Sequence, residues 1–153
     1  MSRSLAEARL HHRLTDSLYM EAMLLADEAR SYFDEAGKAD REGLSPIDRV
    51  AFSCESLKVT TRLMHIIAWL LTQRAVDAGE LTVREALDPS RRLGTAPATD
   101  EALLAELPSS AAGLIAASID LHRRVARLDD AQDAAAPATS PARSIQSRLA
   151  MSF

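Results

Sequence analysis

The hydrophobic positions of this chain are most regular between Ser45 and Glu80. Ser45 is a suitable N-cap, Pro46 fits the first helical position, and Gly79 supplies the left-handed residue that commonly ends a helix. Between them, apolar or small residues recur in alternating steps of three and four: Ile47, Val50, Cys54, Leu57, Thr61, Met64, Ala68, Leu71 and Ala75. This heptad spacing predicts a long helix that packs through this stripe, nearly parallel to its neighbours.

The opposite side of the same helix changes character halfway along. Its first half carries polar residues such as Asp48, Arg49 and Lys58, whereas its second half is apolar. The uncharged run from Leu63 to Gln73 covers about 16 Å of helix, which is too short to cross about 30 Å of membrane hydrocarbon. The pattern therefore indicates a core helix, or a core helix whose back forms a dimer interface. In the second case the predicted interface residues are Leu63, Ile66, Ile67, Trp69 and Leu70.

Two further stripes of the same spacing predict a helix before the central one and another after it. The first runs from about Leu14 to Glu35, and the last begins at Ser109 or Ser110. Thr82 and Glu85 are placed as a capping box for a short extra helix that follows the central one. The sequence thus predicts an all-α fold, an antiparallel three-helix bundle with a short extra helix.

The predicted bundle domain covers residues 14–130. Residues 1–13 are expected to form a flexible leader, and residues 131–153, rich in Ala, Ser and Pro, a disordered tail. The leader has no apolar segment of the kind that a secretory signal needs, so a cytoplasmic location is expected. The single cysteine, Cys54, lies on the heptad stripe, where a small buried hydrophobic role is expected.

The charge and the motifs give no support to catalysis, metal binding or nucleic-acid binding. A net charge of -4 provides no general attraction to nucleic acid or to an acidic membrane. His11 and His12 are adjacent and would point about 100° apart on a helix, which does not suit one metal ion. A faint helix-turn-helix start at residues 81–86 is followed by Pro89 and Gly94, where a second helix should begin. We therefore expect no catalytic residue, no metal, no cofactor and no membrane insertion.

The block from Glu55 to Thr82 carries a family resemblance. Its most recognisable parts are TTRLM at residues 60–64, WLL followed by QRA at residues 69–75, and GEL at residues 79–81. A later Leu-Pro pair is followed by a helix containing LHRRVARLD, at residues 121–129. Over roughly residues 14–129, the chain resembles the alphaproteobacterial family of regulators of CtrA degradation, the RcdA family.

This resemblance implies a function that the periodicity alone does not. Proteins of this family are all-α, dimeric adaptors for regulated proteolysis. They act with the ClpX unfoldase of the ClpXP protease and a CpdR-like receiver protein, deliver cargo such as CtrA, and are recruited to the cell pole. A DNA-binding or other regulatory helical protein, or a helical-bundle enzyme, remains the alternative.

An adaptor of this kind needs partner-binding surfaces, and three groups of residues are candidates. The first is the margin of the central helix, although Arg62 and Arg74 could instead line the dimer seam and pair with buried acids. The second is a basic turn after that helix, and the third is the apolar end of the tail. Together the candidates are Arg62, Gln73, Arg74, Arg84, Arg91, Arg92, Arg143, Leu149, Met151 and Phe153.

Overall fold

The computed structural model describes residues 4–135 and 148–152, and the elements in these ranges are helical. The helices are α1 (Leu5–Ser31), α2 (Lys38–Glu42), α3 (Pro46–Asp77), α4 (Val83–Ala86), α5 (Glu101–Leu104) and α6 (Ser109–Ala135). A π-helical turn, Tyr32–Ala36, follows α1, and a 3₁₀ turn, Pro89–Arg91, follows α4. The long helices α1, α3 and α6 form the bundle, so the predicted all-α fold is confirmed.

The ends of α3 and α4 follow the signals in the sequence. The Ser45 side chain accepts a hydrogen bond from the Asp48 amide at 3.3 Å, and Pro46 occupies the first turn of α3. Gly79, with a φ of 76°, adopts the left-handed conformation just after α3. The capping box predicted for α4 is also present. Local capping chemistry therefore sets these ends.

Both outer boundaries of the predicted bundle domain are wrong where the structure describes the chain. Helix α1 begins at Leu5, where the Ser4 side chain accepts a hydrogen bond from the amide of Glu7, and His11 contacts Gln73 of α3. Residues 5–13 are therefore the helical start of α1 and not a flexible leader. At the other end, α6 continues to Ala135, so residues 131–135 are helical and not tail.

The order of contacts along the helices fixes their directions. Arg62, Trp69 and Gln73 of α3 bond to Ser118, Asp129 and Gln132 of α6, so the two helices run in the same direction. By contrast, α1 is antiparallel to both, since His11 meets Gln73 and Glu21 meets Arg124. The antiparallel prediction thus holds for α1, whereas α3 and α6 are parallel. The connection over residues 78–108 makes this possible by running back along the bundle.

The core lies between the three long helices. Leu18, Ala22 and Leu25 of α1 meet one side of α3, and Ile115, Leu121 and Val125 of α6 meet another. Tyr32, Phe33 and Phe52 form an aromatic cluster at the end where α3 begins, with ring centroids 5.1 to 6.2 Å apart. Burial and the hydrogen bond to Asp40 raise the pKa of Tyr32 above its usual value.

The face of α3 that was predicted to pack inside the bundle is on the outside. Ile47, Val50, Leu57, Met64 and Leu71 are exposed, and so is Cys54. The buried side of α3 is instead formed by Phe52, Glu55, Val59, Arg62, Leu63, Ile66, Trp69, Leu70 and Gln73. The prediction failed because both sides of α3 are apolar, and the polar residues on the inner side have their partners far away in the sequence.

Candidate protein-interaction surfaces

The outward side of α3 carries a continuous apolar surface, which we call the outer stripe. Its large residues project into solvent, with exposed fractions of 63% for Val50, 69% for Leu57 and 64% for Met64. The whole stripe consists of Val50, Cys54, Leu57, Thr61, Met64, Ala68, Leu71 and Ala75. From Val50 to Ala75 it extends about 38 Å at helical rise. Exposed apolar surfaces of this length are typical of sites at which proteins bind a partner.

The charged residues of this part of α3 all point away from the outer stripe. Glu55 and Arg62 are buried on the inner side, and Lys58 donates to the carbonyl of Ala98 in the connection at 2.9 Å. Arg74 lies over the Tyr19 ring of α1, 4.0 Å from its centroid, and pairs with Asp16. A partner on the outer stripe would therefore bury no charge of α3, which removes the largest cost of forming an interface.

The threonines on and beside the outer stripe do not make it polar. Thr61 donates its hydroxyl to the carbonyl of Leu57 at 3.0 Å, and Thr72 donates to that of Ala68 at 3.1 Å. Such bonds to the carbonyl four residues earlier satisfy the hydroxyl within the helix. The surface offered to a partner is apolar in effect.

The residues predicted for the dimer interface are not on this surface. Leu63, Ile66, Trp69 and Leu70 are buried in the bundle of a single chain, and Ile67 is partly buried against the same core. Leu63, Ile66, Trp69 and Leu70 cannot contact a second subunit unless the bundle opens, and Ile67 is only partly exposed. That placement of the interface is therefore wrong, because α1 and α6 already cover the side of α3 on which these residues lie.

Arg62, predicted as a partner-binding residue, is instead part of a buried polar network that holds the connection against α3. Only 2% of it is exposed. Its guanidinium donates to the Pro97 carbonyl at 2.8 Å, to the Thr99 hydroxyl at 2.6 Å and to the Ser118 hydroxyl at 3.3 Å. Thr99 in turn donates to Glu55 at 2.6 Å. Burial lowers the pKa of Arg62, and the nearby Glu55 carboxylate partly opposes this shift.

Arg92 is occupied within the chain in the same way. Its Nε donates to Asp129 Oδ1 at 2.8 Å, and the indole of Trp69 donates to the same oxygen at 2.9 Å. A further nitrogen of Arg92 lies 3.2 Å from Asp133. The hydrogen bond to Asp129 raises the pKa of Arg92. Arg92 therefore anchors the connection to α6 and does not present its charge to a partner.

Gln73 is buried, whereas its neighbour Arg74 is exposed. Gln73 is buried in a polar layer, in which the Gln132 amide donates to its Oε1 at 2.7 Å and His11 Nε2 lies 3.2 Å from the same oxygen. Its own Nε2 has no hydrogen-bond partner among the described residues. This layer joins all three long helices, so Gln73 is a structural residue. Arg74 stays exposed at the margin between α1 and α3.

The other predicted partner-binding residues that the structure describes are exposed. Arg84 and Arg91 lie on the surface of the turn after α3. Leu149 and Met151 are exposed on a helical turn over residues 148–151. Arg143 and Phe153 lie outside the described residues.

Two grooves accompany these surfaces. The larger, about 650 Å³, lies between α6 and the connection, and its polar walls include Arg62, Asp120 and Arg123. The smaller, about 270 Å³, lies between α1 and α3 and reaches Met64 of the outer stripe. Within residues 4–135 and 148–152, no group of His, Cys, Asp and Glu side chains is arranged to hold a metal ion. No helix in these ranges is long and apolar enough to cross a membrane.

Comparisons with known proteins agree on one family. A family model described as "Protein of unknown function (DUF1465)" matches residues 6–153. The crystal structure of RcdA from Caulobacter crescentus CB15 is similar, with a TM-score of 0.64 and 35% sequence identity. The match covers 78% of this chain and 90% of that one. No curated protein matches the chain.

Proposed function

This chain belongs to the RcdA family, and we propose that it is a homodimeric, non-enzymatic adaptor for regulated proteolysis. The observation that carries the proposal is the outer stripe: an uncharged heptad surface that one bundle leaves exposed along most of its longest helix. A second copy supplies an identical apolar surface of the same length. Burying both copies of the stripe removes apolar area from water without burying a charge.

The partners that we propose follow from the family. They are a ClpX-type unfoldase of the ClpXP protease, a CpdR-like receiver protein, and a CtrA-like or other cell-cycle regulator as cargo. An adaptor raises the local concentration of cargo at the protease by binding both, and two-fold symmetry doubles each binding site. Because a cytoplasmic protease is the proposed partner, the proposed location is the cytoplasm, with recruitment to the cell pole.

The exposed basic turn and the end of the tail are the surfaces that we propose for these partners. Arg84 and Arg91 can meet an acidic protein surface, and Leu149 and Met151 present apolar side chains on a short turn. Arg143 and Phe153 belong to the same proposed docking segment. Arg62, Gln73 and Arg92 are left out, because they hold the bundle together.

The buried polar groups support a structural role over a catalytic one. A catalytic group must reach substrate, whereas Glu55 and Arg62 are enclosed and bonded to Thr99, Ser118 and the Pro97 carbonyl. These bonds satisfy the charges and fix the connection in place. We therefore propose no catalytic residue and no cofactor.

A reconstituted degradation assay tests the adaptor role. Purified ClpXP and a CpdR-like receiver, with a CtrA-like regulator as cargo, would be assayed with and without the chain. We expect the chain to raise the degradation rate at cargo concentrations below KM and to bind the unfoldase or the receiver in a pull-down. An unchanged degradation rate together with no captured component would refute the proposed role.

A matched variant separates docking from folding in this assay. The double substitution Arg84→Glu and Arg91→Glu reverses charge on the exposed turn, whereas Arg123→Glu and Arg127→Glu reverse the same charge on α6. If the turn meets an acidic partner, the first variant should lose stimulation while keeping its helical content. Equal losses in both variants would assign the effect to net charge and not to the turn.

A further inference from the structure

The residues of the outer stripe are also ordered by size. At one heptad position every residue is large: Val50, Leu57, Met64 and Leu71. At the other, from Cys54 onward, every residue is small: Cys54, Thr61, Ala68 and Ala75; Ile47, one heptad earlier at this position, is large. A helix that only had to avoid charge on this face would have no reason to keep large and small residues in register over four heptads.

We infer that two copies of α3 pair antiparallel, with the two-fold axis passing between Thr61 and Met64. This inference rests on the proposed dimer and specifies its geometry. In this register each large residue faces a small one: Val50 faces the partner's Ala75, Cys54 faces the partner's Leu71, Leu57 faces the partner's Ala68, and Thr61 faces the partner's Met64. Alternation of large and small residues across facing positions lets two surfaces interdigitate without voids.

The parallel, in-register alternative gives poor packing on the same surface. It would place Leu57 against the partner's Leu57 and Met64 against the partner's Met64, with Thr61 against Thr61 and Ala68 against Ala68 between them. The pairs of large residues would then keep the two helices apart, and the pairs of small residues between them would leave cavities. Both overpacking and cavities destabilise an apolar interface.

The bundle leaves room for the antiparallel pair. The inner residues Val59, Ile66 and Gln73 lie on the side of α3 opposite the outer stripe, and α1 and α6 pack there. The large residues of the outer stripe therefore stay exposed to a partner helix, with α1 beside the stripe at Met64. Antiparallel pairing also sets the helix dipoles of the two α3 copies in opposition, which is a small favourable contribution.

The register has a consequence for the adaptor. Because α6 runs parallel to α3 and ends beyond Gln132, which bonds to Gln73, the two α6 ends lie at opposite ends of the dimer. At helical rise they are separated by about 40 Å along the α3 axis. The chain segments after Ala135, including the proposed docking residues Leu149 and Met151, would then start from two distant points. Each could hold a separate partner molecule.

The single native cysteine permits a direct test. In the antiparallel register Cys54 lies about 25 Å from the partner's Cys54, far beyond the reach of a disulfide, but next to the partner's Leu71. The full chain would be oxidised in three forms: unchanged, Leu71→Cys, and Leu71→Cys with Cys54→Ala. Non-reducing electrophoresis then measures the covalent dimer, and sedimentation confirms that each form is dimeric before oxidation.

We expect covalent dimer only in the single variant Leu71→Cys, which keeps the native Cys54. Covalent dimer in the unchanged protein and in the double variant, each of which has one cysteine per chain, would indicate parallel pairing and overturn the inference. Dimers by sedimentation that form no disulfide in any of the three would overturn it as well, while leaving the dimeric adaptor intact. Monomers in the unchanged protein would overturn the proposed dimer itself.

A second pair of positions repeats the test, in case Leu71→Cys disturbs the packing of the interface. In the Cys54→Ala background, Leu57→Cys and Ala68→Cys together should give covalent dimer, whereas either alone should not. The two sites are about 16 Å apart within one helix, so they cannot form a disulfide inside one chain. Covalent dimer from either single cysteine, or none from the pair, would count against the antiparallel register.

Discussion

The two faces of α3 are both apolar, yet they are built on different rules. The inner face carries the large aromatic residues Phe52 and Trp69, and it buries Glu55, Arg62 and Gln73 with partners from other elements. The outer face is a regular heptad with no charge. Both faces keep steps of three and four, so the difference between them lies in composition and not in spacing. An inner face that meets several different elements includes polar groups that bond to them, whereas a heptad face without charge is expected where one helix meets another, as in the proposed dimer.

The largest effect should come from charge placed on the inner face. Leu63→Glu with Ile66→Glu puts two carboxylates among core side chains that have no partners to offer them. Burying one unpaired charge already costs several kcal/mol, so the pair is expected to exceed the whole stability of a small domain. The variant should lose most of its helical circular dichroism at 25 °C. If the variant were a folded monomer, Leu63 and Ile66 would belong to a dimer interface, and our assignment of the inner and outer faces of α3 would be wrong.

Removing a single charge from the inner face should cost less but still be large. Arg62→Ala leaves the Pro97 carbonyl and the Thr99 and Ser118 hydroxyls without this donor, and each buried polar group left unpaired costs about 1–3 kcal/mol. Glu55 keeps its pair with Lys58 at 2.8 Å. Urea denaturation should show this loss in the free energy of unfolding. The matched control is Arg74→Ala, which removes an exposed pair with Asp16 and a contact with the Tyr19 ring and should cost no more than about 2 kcal/mol. Equal costs for both arginines would contradict the distinction between a buried anchor and a surface pair.

Charge on the outer face should separate the subunits and spare the fold. We expect Leu57→Glu with Met64→Glu to weaken dimerisation at least 100-fold, because each carboxylate would be desolvated against an apolar partner surface. Sedimentation should show monomers, while the helical circular dichroism stays close to that of the unchanged protein. The control, Met20→Glu with Leu24→Glu, places the same charges at exposed apolar positions of α1 and should leave the dimer intact. A persistent dimer in the first variant would move the interface away from the outer stripe.

The parts of the fold that could be predicted from the sequence are those set by residues close together in the chain. The N-cap at Ser45, the glycine at Gly79 and the capping box of α4 were predictable, because they depend on residues a few positions apart. The start of α1 at Leu5 was missed, although Ser4 and Glu7 carry a capping signal, because the charged and polar residues 7–13 suggested a solvated leader.

The sidedness of α3 could not be predicted in this way. The partners of Arg62 are Thr99 and Ser118, which lie 37 and 56 residues further along the chain. A helical-wheel projection of α3 shows two apolar sides, and it takes no account of partners that lie so far away in the sequence. The regularity of large and small residues on the outer stripe was the available signal. It favours a helix facing a copy of itself over a helix facing two unlike neighbours.

The smallest effect that we expect on the free energy of unfolding comes from His12, at the exposed end of the contact between α1 and α3. His12 Nδ1 is 2.9 Å from Asp77 and its Nε2 is 3.2 Å from Asp16. The hydrogen bond to Asp77, followed by the charge of Asp16, raises the pKa of His12 above 6.5. Because the folded state binds this proton more tightly, His12 contributes stability below the unfolded pKa of 6.5 and loses that contribution as the pH rises through the folded pKa.

The difference in free energy of unfolding between the unchanged protein and His12→Gln should therefore be largest near pH 5.5 and vanish at alkaline pH. Added salt should reduce it, since the contact is exposed. An NMR titration of the His12 ring gives the cause: Asp77→Asn should lower its pKa more than Asp16→Asn does. A ring pKa that is the same in both variants as in the unchanged protein would show that neither carboxylate holds the proton. In that case the contact between α1 and α3 at this end would depend on the buried layer of Gln73 and Gln132 and on the pair of Arg74 with Asp16.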